Sequence, residues 1–331
     1  MRPATDPATC AKRFAQAAPR KPIGRVEMPH VNQALSDESF TMSTRHPIVA
    51  VTGSSGAGTT TVMNSFQHIF RREKLNAQVV EGDAFHRYDR AAMRVAMKEA
   101  EDSRRQFSHF GPEANLLEEL EALFRDYAQT GRGRVRKYLH DEIEAAQYGQ
   151  DPGTFTRWFG IEDETDLLFY EGLHGGFAGH GIDVAQHADL LVGVVPIINL
   201  EWIQKLHRDK NLRGYSQEAV MDTILRRMPD YAHYICPQFS RTHVNFQRVP
   251  TVDTSNPFAA RDIPTADESF VVIRFTHPKG IDFPYLLTML RDSFMSRPNV
   301  IVVPGGKMGI AMQLIFTPMI LQMIDRKRRA V

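Results

Sequence analysis

Eight residues, Gly53-Ser54-Ser55-Gly56-Ala57-Gly58-Thr59-Thr60, hold three glycines, the first and last five positions apart, and four hydroxyl residues, just after the apolar run at 48–51. Glycines at this spacing let successive backbone N–H groups turn inward around phosphate oxygens, and a helix opening just beyond adds a favourable dipole. Thr60 stands where a hydroxyl would reach Mg²⁺. The position that normally carries lysine is Thr59. A lysine about 4 Å from a phosphate oxygen contributes roughly 4 kcal/mol at an effective dielectric near 20. A phosphoryl-transfer site without it therefore needs another cation. From the loop alone, an innocent Gly/Ser turn between strand and helix stays open.

Two acids are candidates to complete such a site. Ligands of open α/β sheets bind beyond the carboxyl ends of strands, and both Glu81-Gly82-Asp83 and Tyr170-Glu171-Gly172 end apolar runs. Phosphoryl transfer needs Mg²⁺ on the phosphates, cations on the developing charge and a base for the acceptor hydroxyl. Asp83 suits the base, and Glu171 the metal-side acid with Thr60. Glu81, on the other side of the strand from Gly82, is the alternative for the metal side. A lone acid at a strand end is more often a helix cap; two of them beside a phosphate loop favour chemistry.

The missing positive charge is sought in residues 202–227, which contain Lys205, His207, Arg208, Asp209, Lys210, Arg213, Arg226 and Arg227. A solvated helix face is the bland reading. Placed after a central strand, the run reads instead as a lid around 200–228 that brings cations over the nucleotide, with Lys205 the candidate replacement. A second basic set, His86, Arg87, Arg90 and Arg94 with Lys137 and His140, suits an anionic acceptor such as a sugar phosphate. Arg90 and Arg94 are four apart, as two groups on one helical face binding one phosphate would be; a salt-bridged surface helix is the alternative.

The elements that must hold these residues are read from apolar runs. Strands are expected at 48–51, 79–80, 167–170, 190–195, 270–275 and 300–303, and helices at 60–72, 116–127 and 311–326. Strands alternating with helices predict an α/β fold with a mixed, largely parallel sheet covered on both faces. Residues 1–44, rich in Ala, Pro and Thr, read as a disordered extension or an over-long start, and 45–331 as one domain. The 331 residues are 42% hydrophobic and carry a net charge of +1, which gives no argument for nucleic acid or a membrane surface. No apolar stretch is read as a membrane span. Two cysteines make no disulfide framework or metal set, Cys236 is expected to be a buried thiol, and a cytoplasmic setting fits best.

The strings GSSGAGTT, EGDAFHR, FSHFGPEAN, LLFYEGLHGG, GVVPIINLEWIQKLHRDKNLRGY, ILRRMPDY, PQFSRTHVNFQRVPTVDTSNPF and PTADES resemble the bacterial, class I type of phosphoribulokinase, over residues 46 to about 328. The resemblance implies a P-loop kinase fold and phosphorylation of D-ribulose 5-phosphate on its 1-hydroxyl by MgATP, the step that supplies the CO₂ acceptor of the Calvin cycle. It extends to the lysine-free loop. By motif, Asp83 corresponds to the base and Glu171 to the metal-side acid. His86, Arg90 and His140 correspond to sugar-phosphate binders, Lys205, Arg208, Asp209 and Arg213 to the lid motif, and Arg226 and Arg227 to a further basic pair. It also implies a large homo-oligomer, possibly an octamer, activated by NADH and restrained by AMP, with Arg72 and Arg274 at effector positions. Serines stand where the plant-type loop has a redox-active cysteine, so thiol switching is not expected. The competing readings are another P-loop kinase of a small hydroxyl substrate, such as uridine, and a nucleotide-binding regulator without turnover.

Overall fold

The apolar run Ile48-Val49-Ala50-Val51 forms the first strand, β1 (Ile48–Gly53), every residue of which is buried. A strand buried on both faces sits in the interior of a parallel sheet, and the topology bears this out. β1 is flanked by β3 (Leu167–Gly172) and β4 (Leu190–Val195), both parallel to it. The helix α1 (Thr59–Glu73) leaves the carboxyl end of β1, and β2 (Ala77–Glu81) then returns beside β3. β5 (Val244–Pro250) pairs in parallel with β4; β6 (Ser269–Phe275), β7 (Phe294–Arg297) and β8 (Val300–Pro304) extend the sheet through antiparallel pairings. The full order is β7-β8-β6-β5-β4-β1-β3-β2. The expected mixed, largely parallel sheet is present, with its antiparallel part at one edge.

The structure is a computed structural model that describes residues 45–53, 59–162, 164–214 and 216–330. The expectation of a disordered extension over 1–44 lies outside these residues. So do the phosphate-loop residues Ser54, Ser55, Gly56, Ala57 and Gly58, and the side chains of Thr59, Thr60 and Arg213. Residues Thr41–Val331 form one compact unit.

Both sheet faces are covered. On one, Val62, Phe66, Ile69 and Phe70 of α1 and Ala311, Met312, Ile315, Phe316 and Ile320 of the last helix bury Val49, Val51, Phe169, Val192 and Phe246. On the other, Leu117, Leu120, Leu123, Phe124 and Tyr127 pack on Ile48, Ala50, Leu168, Tyr170 and Leu191. The period of three and four in each helix is what turns these side chains to one side.

Chain connections carry the site. Between β2 and β3 lie a 3₁₀ turn (Gly82–Phe85), α2 (Arg90–Asp102), α3 (Leu117–Thr130) and α4 (Glu142–Tyr148). Between β4 and β5 lie α5 (Ile198–Arg213) and α6 (Gln217–Asp230), separated by Gly214 in the left-handed conformation at φ 69°. Pro229 near the end of α6 withholds a backbone N–H, and the chain continues through a wider π turn, Tyr231–Ile235. α7 (Phe283–Met289) and α8 (Met308–Ala330) complete the fold.

Two expectations are corrected. Cys236 is exposed; it follows the π turn at the start of a short 3₁₀ stretch, where its neighbour Ile235 takes the buried side. The segment Gly305–Arg329 is long and apolar enough to cross a membrane by length and composition. Gln313, Pro318 and Gln322 interrupt its apolar runs and hide this from a run-based reading. Its apolar side is the layer described above, packed on the sheet.

Candidate active site

Two glycines bring the acids together. β2 and β3 pair in register so that Glu81 lies opposite Glu171. A Cβ on Gly82 would fall 2.7 Å from the Gly172 Cα and 2.7 Å from the Tyr170 hydroxyl; one on Gly172 would fall 2.6 Å from the Gly82 Cα. Only glycine at both positions permits this approach. Past it, β2 tightens into the 3₁₀ turn whose Phe85 is buried, its ring 5.7 Å from that of Trp158, and Asp83 is presented at the sheet's carboxyl edge.

The turn is held from behind by Arg136, a residue that no motif had singled out. Its Nε donates to the Ala84 carbonyl at 2.7 Å and its Nη2 to the His86 carbonyl at 2.6 Å. The guanidinium lies 3.7 Å from the Phe155 ring centroid and 4.8 Å from that of Trp158. Two donors and two aromatic faces immobilise a planar cation.

Asp83 sits between two imidazoles. His86 Nε2 is 3.2 Å from Oδ1; His140 Nε2 is 4.0 Å from Oδ2 and 3.6 Å from Glu81 Oε2. Burial pushes the Asp83 carboxyl up, but the His86 hydrogen bond and the charges of His86 and His140 outweigh it and hold it below the usual value. Burial also opposes a charged His86, and is outweighed by Asp83 and by the Asn115 acceptor, so His86 is raised. His140 is raised chiefly through Glu81, with help from Asp83 and Glu144. Glu81 is thus engaged by His140. Burial, then the charges of Asp83 and Glu81, push the Glu171 carboxyl up to about 7. A half-buried carboxyl beside two others is a place short of positive charge, and a divalent cation fits it. Mg²⁺ commonly takes only one or two protein carboxylates and completes its shell with phosphates and water.

The remaining expected residues fall into three groups. Arg90 caps the acceptor side, its Nη2 donating to the His140 carbonyl at 2.8 Å. Arg94 is exposed on α2 and makes no hydrogen bond or ion pair with another described residue. Lys137 Nζ lies 5.6 Å from the centroid of the Tyr148 ring rather than on an acid of the site. On α5, Lys205 and Arg208 both contact the buried Asp209, at 2.5 and 3.2 Å. Burial depresses the Lys205 ammonium, and the charges of Arg227 and Arg208 add to this against Asp209. On α6, Arg226 reaches Glu101 of α2 at 3.4 Å, and Arg227 Nη2 is 3.9 Å from Met97 Sδ. Arg72, at the end of α1, donates to Thr317 of α8 at 2.8 Å, and Arg274 on β6 donates to the Phe239 carbonyl at 3.4 Å.

The segment 106–115 joins the two basic sets. Ser108 donates to the buried Asp230 at 2.7 Å, and Gln106 to the Arg226 carbonyl at 2.9 Å. His109 meets His86 edge-on, with ring centroids 6.5 Å apart. Burial, with the charges of Arg227, His86 and Lys205, keeps His109 neutral, so cations of α5 and α6 lie within electrostatic reach of the acceptor side. His174, in the loop after Glu171, is buried, and burial drives it down to about 3. On the outer face of α5 a cavity of about 580 Å³ is lined by His207, Lys210, Phe258 and Arg261. Trp202 stacks on Phe258 there at 5.2 Å.

A family model described as "Phosphoribulokinase / Uridine kinase family" matches residues 48–255. The chain is 68% identical over 290 residues to the chromosomal phosphoribulokinase of Cupriavidus necator, covering 87% of this chain and 99% of that protein. It is 63% identical over 290 residues to the phosphoribulokinase of Nitrobacter vulgaris, covering 87% of this chain and 100% of the relative. The solved phosphoribulokinase from Rhodobacter spheroides superposes with a TM-score of 0.80 at 55% identity, over 86% of this chain and 99% of the other. Acids at the ends of β2 and β3, the matching family model and this degree of identity converge: the chain belongs to the phosphoribulokinase / uridine kinase family.

Proposed function

We propose that the protein transfers the γ-phosphoryl group of ATP to the 1-hydroxyl of D-ribulose 5-phosphate, forming ribulose 1,5-bisphosphate. The observation that carries this reading is Asp83, a carboxylate kept ionised between His86 and His140 at the carboxyl edge of the sheet, with β3 between its strand and β1. Asp83 takes the proton of the acceptor hydroxyl as that oxygen attacks. His86, Arg90 and His140 supply positive charge to the acceptor's own phosphate, which a nucleoside acceptor would not require. Arg226 and Arg227 lie on the same side, toward α2. Gly53 to Thr60 hold the nucleotide phosphates, and Thr60 and Glu171 hold Mg²⁺. When bound, the ion neutralises charge on the phosphates and aligns them. Lys205 substitutes for the lysine absent at Thr59, presented by a lid of α5 and α6 with Arg208 and Arg213, while Asp209 holds Lys205 and Arg208 in place.

The finer expectations belong to the same reading: a cytoplasmic homo-oligomer activated by NADH through a site that includes Arg72 and Arg274. The test is ADP release with ribulose 5-phosphate against uridine, with and without NADH, and with Asp83→Asn as control. Turnover should require the sugar phosphate and fall by about 10²–10⁴-fold in Asp83→Asn, with ATP binding retained. Equal rates with uridine, or wild-type turnover in that variant, would defeat the assignment.

A further inference from the structure

Backbone pairing sets His86 and Asn115 opposite each other in an antiparallel bridge. Arg87 N–H donates to the Ala114 carbonyl at 2.8 Å and Leu116 N–H to the Phe85 carbonyl at 2.7 Å, so the register is tied on both sides. Asn115 is buried. Its Nδ2 donates to two carbonyls, His109 O at 2.9 Å and Gly111 O at 2.7 Å. Flipping the amide would press its oxygen against both carbonyl oxygens, so the orientation is determined by the network. Oδ1 is left as an acceptor, and His86 Nδ1 lies 2.9 Å from it. An amide oxygen can only receive a hydrogen, so Nδ1 carries one. The other ring nitrogen, Nε2, faces Asp83 Oδ1 at 3.2 Å. A neutral ring protonated at Nδ1 would turn a lone pair toward that oxygen, and the contact is attractive only with a proton between the two atoms.

We propose that Asn115 is a positioning residue for phosphoryl transfer: it locks His86 as an Nδ1–H donor, so that a proton is held between His86 Nε2 and Asp83 Oδ1 and the substrate proton must go to Asp83 Oδ2. This rests on the reading of Asp83 as the base. In the step, the acceptor O–H bond breaks as the oxygen–phosphorus bond forms, its proton passes to Oδ2, and the electron pair of the cleaved β–γ bridge leaves with ADP. The imidazolium keeps Asp83 ionised beforehand and stabilises charge on the acceptor oxygen during attack. Other groups facing His86 come from three elements: His140 ahead of α4, His109 in the 106–115 segment, and His174 after β3. Arg136 reaches His86 at its backbone carbonyl and not at its ring. His109 and His174 are held neutral, so Asp83 and Asn115 set the ring's protonation against burial and the charge of His140.

The two roles of Asn115, acceptor for His86 and donor to the loop carbonyls, separate by substitution. Asn115→Leu removes both. Asn115→Asp keeps an acceptor, now charged, and removes the donors. Melting temperature should fall in both. In kcat/KM against pH, the alkaline limb should move to lower pH in Asn115→Leu, with a loss on the order of tenfold above neutrality, and to higher pH in Asn115→Asp. In a His86→Gln background neither substitution should move the limb. Limbs that stay with wild type, or shift the same way in both variants, would mean that Asn115 only stitches the loop. Should the leucine variant fail to fold, the direction of the Asn115→Asp limb decides alone. Absence of turnover with ribulose 5-phosphate in the wild type would instead sink the proposed function, and is read in the same assay.

Discussion

Glu171 and Arg136 show how individual side chains carry opposite electrostatic tasks around one turn. The Glu171 carboxyl, raised to about 7 by burial beside Asp83 and Glu81, binds a proton in the folded state that the unfolded chain has already lost above about pH 4.3. Stability in the absence of metal therefore declines as pH rises from there to about 7, and the cost is fully present above that. Glu171→Gln removes it. The variant should be more stable than wild type above pH 7 by on the order of 2 kcal/mol without Mg²⁺, and of similar stability near pH 4, by urea unfolding. Turnover should fall in the same protein. Equal stability at both pH values would contradict the burial argument. Arg136 acts without titrating: its two donations to Ala84 and His86 fix the turn that carries Asp83. Arg136→Lys keeps the charge but not the fork, so kcat should drop about tenfold or more with little change in the KM for ATP. A lysine variant with wild-type kcat would show that the aromatic contacts suffice.

Elements were legible in the sequence where burial is two-sided. β1, β3 and β4 read as uninterrupted apolar runs because both faces meet helices, and each ends near residues that serve the site. β5 was missed because Asn245 and Gln247 alternate with buried Val244 and Phe246, leaving too few apolar positions in a row. Asn115 was inside a recognised string, yet its role depends on a backbone bridge to His86 that no local pattern announces. For Arg90 and Arg94 the helical spacing shows in the sequence, but the contact of Arg90 with the His140 carbonyl at the start of α2 does not. For α5 the spacing of four between Lys205 and Asp209 was in view, but their contact turns Lys205 from a loose cation into one held by a buried acid. Lys205→Met should therefore lower kcat by about 10²–10³-fold, as for loss of a transition-state donor. Adding Thr59→Lys should restore only part of this, because a lysine there is carried by the loop and not held by Asp209. Full rescue would place the missing charge at the loop and not on the lid. A mild Lys205→Met effect with a severe one at Arg208 or Arg213 would move the role to those residues.

Across the whole molecule, the helix that opens from the phosphate loop is anchored by aromatic packing far from the chemistry. Phe66 of α1 lies 4.7 Å from Phe169 of β3 and 5.1 Å from Phe316 of α8, and Phe316 in turn lies 5.5 Å from Phe246 of β5. All four rings are fully buried. This cluster ties α1 to the sheet and to the closing helix, so the seat of α1 depends on α8, more than two hundred residues later. Removing the Phe316 ring leaves a cavity under α1; Phe316→Ala should cost about 3–5 kcal/mol, a large share of a typical total of roughly 5–15 kcal/mol. Phe316→Leu keeps most of the volume, should cost less than about 1.5 kcal/mol, and so permits kinetics on a folded protein. If α8 supports the nucleotide site through α1, the leucine variant should show a higher KM for ATP and an unchanged KM for the sugar phosphate. Saturating MgATP should then recover part of the lost stability, since a ligand that binds only the native state raises it by mass action. A leucine variant that is less stable but has an unaltered KM for ATP would show that the aromatic layer holds the fold without setting the loop.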